Sequence, residues 1–265
     1  MMKSQLKLWP ILTLLCLLGL GVFSLNQRVA ASAAAGSQTV LELSPGAYLP
    51  YVSKTGCVDP GFFDTFDDPA SGWAVVDDTW VKTQYLTSNG NGLYRIAPKE
   101  IDPNAPYYVF FAPTNAREEY VVETDIRWTG DPGVSVGGIV FSVKPDLSEG
   151  YLFGIYANPD PAYAEYYQKF GVLKYNVASD ELTFLVLPTT STAIIPGNET
   201  NHLKVTLRAD DTFTLEINGV ELGSWFDPSL NTPSVVGVAM TPADVFVPNQ
   251  AELRIDNFFV TSCIE

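Results

Sequence analysis

Residues 202–225, HLKVTLRADDTFTLEINGVELGSW, constrain the fold more than any other segment. Apolar and polar residues alternate through it, broken by two turn signals. The first is Asp210-Asp211. The second is Asn218-Gly219, the dipeptide that suits a two-residue hairpin because both residues tolerate positive φ. Three consecutive antiparallel strands follow from this pattern. Upstream, YVVETDIRW sets Val122, Thr124, Ile126 and Trp128 on one face, and Val121, Glu123, Asp125 and Arg127 on the other. GGIVFSV, GYLFGIYA, YYQKFGVLKYN, LTFLVL, VVGVAMT and ELRIDNFFVTS read as further strands. Helical spacing is nearly absent, and Pro and Gly recur too often for long helices. Many short strands between turn signals predict an all-β antiparallel sandwich or barrel.

The beginning of the chain reads as a targeting segment. Lys3 and Lys7 precede an apolar run from Leu8 to Leu25, and Val29-Ala30-Ala31 and Ala31-Ser32-Ala33 both fit small-x-small cleavage sites. Residues 1–35 are therefore expected to be a signal peptide, 36–56 a Gly- and Pro-containing linker, and 57–265 one domain. The alternative is an uncleaved membrane anchor, since the run approaches the length of a span. Cys16 lies inside the apolar run behind Leu15, a poor setting for lipid attachment. The expected location is extracellular or at the cell surface. A net charge of −15 argues against nucleic acid and anionic membranes as partners, and leaves room for divalent cations. The sequence leaves the oligomeric state open. Beyond the leader only Cys57 and Cys263 remain, and in an oxidising compartment such a pair most simply forms a bridge. That bridge requires the first and last strands to be neighbours.

The ordered set FFDTFDDPASGW, YVVETDIRW, GGIVFS, YLFGIY, NHLKVTLRADDTFTLEINGVEL, VVGVAM and RIDNFFV resembles the concanavalin A-like lectin/glucanase fold. The likeness is strongest to the laminin-G-like domains of secreted bacterial proteins, and it covers roughly residues 57–263. The resemblance implies a two-sheet antiparallel jelly-roll sandwich with the first and last strands side by side, in agreement with the cysteine pair. It also implies that FFDTFDDPASGW holds the first strand, its acids at an edge or rim and Trp73 plugging the end of the sandwich. A structural calcium is then one reading of Asp64, Asp67 and Asp256, because calcium prefers hard oxygen ligands. A solvated acidic rim is the other. No other cofactor is implied.

Catalysis finds little support. Some glucanases of this fold use Glu-x-Asp-x-x-Glu, in which two carboxylates act as a pair. Here Glu123 and Asp125 match the first two acids, but position 128 is Trp, and Glu165 is not positioned to replace the missing one. His202, the single histidine, reads as structural. Neither a Gly-x-Ser-x-Gly nor a phosphate loop occurs. Asn198-Glu199-Thr200 fits a glycosylation acceptor, a pattern frequent by chance. Aromatics are more suggestive. Around YANPDPAYAEYY, Tyr156, Asn158, Asp160, Tyr163, Tyr166 and Gln168 make a candidate sugar platform, with Trp225 a further stacking candidate. Aromatic faces pack on sugar C–H surfaces while amides and carboxylates meet hydroxyls. Tyr151, Phe153, Phe170 and Tyr175 are expected in the core. The resulting expectation is a secreted, non-catalytic carbohydrate-binding or adhesion module for an extracellular glycan. The alternatives are a glycoside hydrolase-like enzyme using Glu123 and Asp125, and a purely structural surface domain.

Overall fold

The computed structural model describes residues 61–88, 91–100, 107–130, 135–156, 166–176, 181–230, 233–241, 251–262 and 264. Among the described residues, fourteen strands form two antiparallel sheets. They are β1 (Phe62–Asp64), β2 (Val81–Ser88), β3 (Asn91–Pro98), β4 (Tyr108–Phe111), β5 (Tyr120–Gly130), β6 (Val136–Val143) and β7 (Glu149–Tyr156). The rest are β8 (Lys169–Asn176), β9 (Glu181–Thr190), β10 (Thr200–Leu207), β11 (Thr212–Ile217), β12 (Val220–Phe226), β13 (Val235–Thr241) and β14 (Ala251–Thr261). Eight strands make one sheet in the order β12-β11-β10-β5-β14-β3-β2, with β1 also on β14; six make the other, β4-β13-β6-β7-β8-β9. Among the described residues there is no helix. The architecture is the expected two-sheet jelly-roll sandwich.

Alternation along each strand builds the core. The β5 side chains Val122, Thr124, Ile126 and Trp128 are buried, as are Leu203, Val205 and Leu207 of β10 and Phe213, Leu215 and Ile217 of β11. Aromatic rings join the layers: Phe141 meets Phe213 at 5.2 Å between centroids, and Tyr94 meets Phe110 at 6.0 Å. The second turn is as read, with Asn218 at φ 52° and Gly219 at φ 76°. Its Asn218 side chain accepts from the His202 N–H at 2.8 Å and donates to the Ala193 carbonyl at 2.8 Å, which ties the turn to the neighbouring loop. Tyr120 is fully buried, and its hydroxyl accepts from the Ser142 N–H at 2.8 Å. Ser142 has φ 48°, so this bond serves an irregular point of β6. Burial pushes the Tyr120 phenol up to about 12.

Two expectations change at the chain's start. Strand β1 ends at Asp64, because the Asp64 carboxylate accepts from the Phe66 N–H at 2.6 Å and Phe66 turns to φ 58°. Asp64 is therefore buried rather than at the rim. Phe66 and Trp73 drop into an aromatic cluster with Tyr94 and Phe258, so Trp73 is part of the buried core. Strands β2, β3 and β4 carry no clean alternation in the sequence and were not anticipated. The first and last described strands do pair, with Phe62 opposite Val260. Cys57 and Cys263 lie outside the described residues.

Candidate functional site

The outer face of the eight-stranded sheet carries the polar halves of β5, β10, β11, β12 and β14. Strand register lines them up in rows across the sheet. In one row stand Glu221, Glu216, Lys204, Glu123, Phe259 and Phe63. In the next stand Ser224, Thr214, Thr206, Val121 and Thr261. All of them but Phe63 and Ser224, which flank it, line an open groove of about 210 Å³ that also touches Arg208 and Ile264. Lys204 reaches Glu216 at 3.0 Å, and Thr214 shares a hydrogen bond with Ser224 at 2.7 Å. Phe63 meets Phe259 edge to face at 6.3 Å, which gives the groove an apolar end. The groove thus offers carboxylate acceptors, cationic donors, hydroxyls that serve as either, and an aromatic surface.

Beside this groove lies a charged cluster built on Glu123 and Asp125. The antiparallel pairing sets His202 opposite Asp125, and Asp125 opposite Asp256. Half-buried His202 donates through Nδ1 to Asp125 Oδ1 at 2.8 Å, and its Nε2 lies 3.6 Å from Glu123 Oε2. The hydrogen bond to Asp125, then the Glu123 carboxylate 3.6 Å away, raises the imidazole pKa to about 9 against the opposing effect of burial. For Asp125, burial works against ionisation. Hydrogen bonds from His202 and Asn257 outweigh it, and the carboxyl stays below its ordinary value. The Asn257 amide is 2.8 Å from Asp125 Oδ2, placed there by a bulge in β14 where Asn257 has φ 49°. Glu123 and Asp125 are therefore bound into an ion cluster with His202. Trp128, at the third position of the glucanase-like pattern, points into the core. The regular alternation of β5 keeps residue 128 on the opposite face from 123 and 125.

The three acids read as calcium ligands share one neighbourhood. Burial first, and then the charges of Asp125, Asp67 and Asp64, raise the Asp256 carboxyl pKa. Asp67 accepts from Thr65 and from the Gly92 N–H at 2.6 Å, and these bonds hold it below the usual carboxylate range. A Cβ on Gly92 would lie 2.1 Å from the Phe66 carbonyl oxygen, so only glycine lets this loop close. Asp64 Oδ2 is buried with no hydrogen-bond partner. Among the described residues, no three His, Cys, Asp or Glu side chains are grouped to hold a metal ion. A cation at this rim would need backbone oxygens as well.

Of the aromatic platform, the structure brings together Tyr156 and Tyr166, with ring centroids 5.5 Å apart. Tyr156 ends β7 in the other sheet, and Tyr166 lies in the turn before β8. Tyr156 is buried, and burial pushes its phenol up to about 12. Gln168 donates to the Ile194 carbonyl at 2.7 Å and so anchors a loop. Trp225 belongs to the eight-stranded sheet, stacked on Phe213 at 5.7 Å, away from the tyrosines. Asn158, Asp160 and Tyr163 lie outside the described residues. Sequence reasoning passed over Lys204, Thr206, Thr214, Glu216 and Phe259. Their alternation marks them as outward-facing, but only the pairing of β5 with β10 and β14 assembles them into a groove.

No protein-family model matches the chain, and no curated protein matches it. Solved structures do. A Bacillus subtilis protein of unknown function with a galectin-like fold is 11% identical at a TM-score of 0.50, covering 77% of this chain and 96% of that one. A xylan β-1,4-xylosidase from Bacillus halodurans C-125 is 14% identical at 0.50, covering 75% of this chain but 38% of the xylosidase. The carbohydrate-binding module CBM66 from Bacillus subtilis overlaps more loosely, at 16% identity and a TM-score of 0.46, covering 71% of this chain and 94% of the module. At these identities the likeness concerns the fold, a galectin-like β-sandwich.

Proposed function

We propose that this domain is a non-catalytic carbohydrate-binding module of an extracellular protein, and that it holds its glycan in the groove across β12, β11, β10, β5 and β14. The groove carries the reading. Glu123, Glu216, Lys204, Thr206 and Thr214 supply alternating acceptors and donors, and Phe259 with Phe63 supplies a stacking surface. Sugars present this combination of hydroxyl rims and apolar C–H faces. An open, wet groove suits modest affinity. The finer placement in the concanavalin A-like, laminin-G-like group belongs to the same proposal, as do secretion by the 1–35 segment and a Cys57–Cys263 bridge. Absence of catalysis is supported by Trp128, which removes the second carboxylate of the glucanase pattern, and by His202, which engages Glu123 and Asp125.

Affinity electrophoresis of the purified chain through gels containing a panel of polysaccharides tests this. Retardation by at least one polysaccharide is expected, without release of reducing ends. Phe259→Ala should lose it, and Glu123→Gln should weaken it less, since the amide oxygen still accepts. Loss on Tyr166→Ala with no effect of Phe259→Ala would move the site to the tyrosine pair. Free migration in every gel refutes the proposal.

A further inference from the structure

The outer face continues past the groove, and its far end is also aromatic. On β12, Phe226 is opposite Thr212 of β11, whose carbonyl accepts from the Arg208 N–H at 2.9 Å. Thr212 lies on the polar side of β11, because Phe213, Leu215 and Ile217 take the core side. Ser224, two residues before Phe226, shares its hydrogen bond with Thr214 on the same outer face. Phe226 therefore points outward, and it is 62% exposed, among the most exposed large apolar side chains described. Phe63, at the opposite end, is 52% exposed. Four strand spacings of about 4.8 Å and two outward steps along the strands put Phe226 and Phe259 roughly 23 Å apart on this face.

We infer that the groove takes the interior of a linear, uncharged polysaccharide, laid diagonally across five strands and stacked at both ends, on Phe226 and on Phe259 with Phe63. This rests on the carbohydrate-binding reading of the same site. The length follows from the separation of the rings, which a single sugar cannot bridge. The neutrality follows from charge. Glu123, Glu216 and Glu221 outnumber Lys204 and Arg208 in the groove, Lys204 is already paired with Glu216, and the whole chain carries −15. A polymer of uronic acids or sulfated sugars would meet like charge at the groove and across the molecule. Between the rings stand the hydroxyls of Thr214 and Ser224, which bond each other and can also donate or accept as a neutral sugar chain requires, beside the buried Thr206 and Thr261.

The test is calorimetric titration of the purified chain with an oligosaccharide series, mono- to hexasaccharide, cut from whichever neutral polysaccharide retards it. Affinity should climb with length until the chain spans both rings. Phe226→Ala should weaken the longest oligomer by about tenfold, as expected for the loss of one aromatic stack, and leave the shortest unchanged. Phe226→Ala should melt within a degree or two of the parent. Equal affinity for a monosaccharide and the hexasaccharide overturns the inference and leaves the module reading standing, as does an unchanged hexasaccharide affinity in Phe226→Ala. Tighter binding of a uronic-acid polymer than of any neutral one overturns it as well. Failure of every polysaccharide to bind removes both readings at once.

Discussion

His202 makes the sharpest test of the charged cluster, because it is the single histidine in the chain. The hydrogen bond to Asp125 and the nearby Glu123 carboxylate raise its pKa from 6.5 to about 9 in the folded protein. A raised folded pKa means the folded state holds the proton more tightly than the unfolded one. The resulting stability is complete below pH 6.5, declines as pH rises, and is gone above about 9. Taken at face value, that shift corresponds to roughly 3 kcal/mol. The side chain is 40% exposed, however, so solvent screening cuts the usable amount to about 1 kcal/mol. Two measurements check this. The lone imidazole Hε1 resonance should titrate with a midpoint above 6.5. Urea denaturation from pH 6 to pH 10 should lose about 1 kcal/mol in the parent, and His202→Gln should flatten that slope. An imidazole midpoint at or below 6.5 refutes the cluster geometry, whatever the variant does.

Two further outcomes follow from buried polar atoms. Tyr120→Phe removes the acceptor of the Ser142 N–H and a partner of Ser234 Oγ at 3.2 Å, both buried. It should cost about 2–3 kcal/mol, read as a fall of about 5–10 °C in the melting midpoint; a midpoint unchanged within 1 °C contradicts it. Where β1 pairs with β14, we propose that the buried Asp64 Oδ2, with Asp67 and Asp256, contributes to a calcium site completed by backbone oxygens. Calcium at about a hundred times its dissociation constant should then stabilise by roughly 2.7 kcal/mol, chelator should reverse the gain, and Asp64→Asn should abolish it. Melting curves that coincide in calcium and chelator exclude the site.

The regular hairpins were legible because their physics is local. The β10–β12 meander follows from alternation and from Asn218-Gly219, whose positive φ values a short turn demands. The outward register of Glu123 and Asp125 follows in the same way. Strands β2 to β4 were less legible, since VKTQYLTS and NGLYRIAP mix polar and apolar residues on faces that tertiary packing half-buries. Asp64 is the plainest miss. An acid between two phenylalanines reads as a rim residue, yet its bond to the Phe66 N–H ends the strand and takes the carboxylate inside.

The all-β class, the alternating core positions and the turn at Asn218-Gly219 could be read along the chain alone, since each depends on a residue and its chain neighbours. Which strands lie beside which was decided only in three dimensions. His202 and Asp125 are 77 residues apart, and Asn257 is 132 residues beyond Asp125, yet all three meet because β5 pairs with β10 on one side and β14 on the other. The groove has the same origin. Its side chains come from five strands that the chain visits out of order, and alternation fixes the face a residue points to, never the neighbour it finds there.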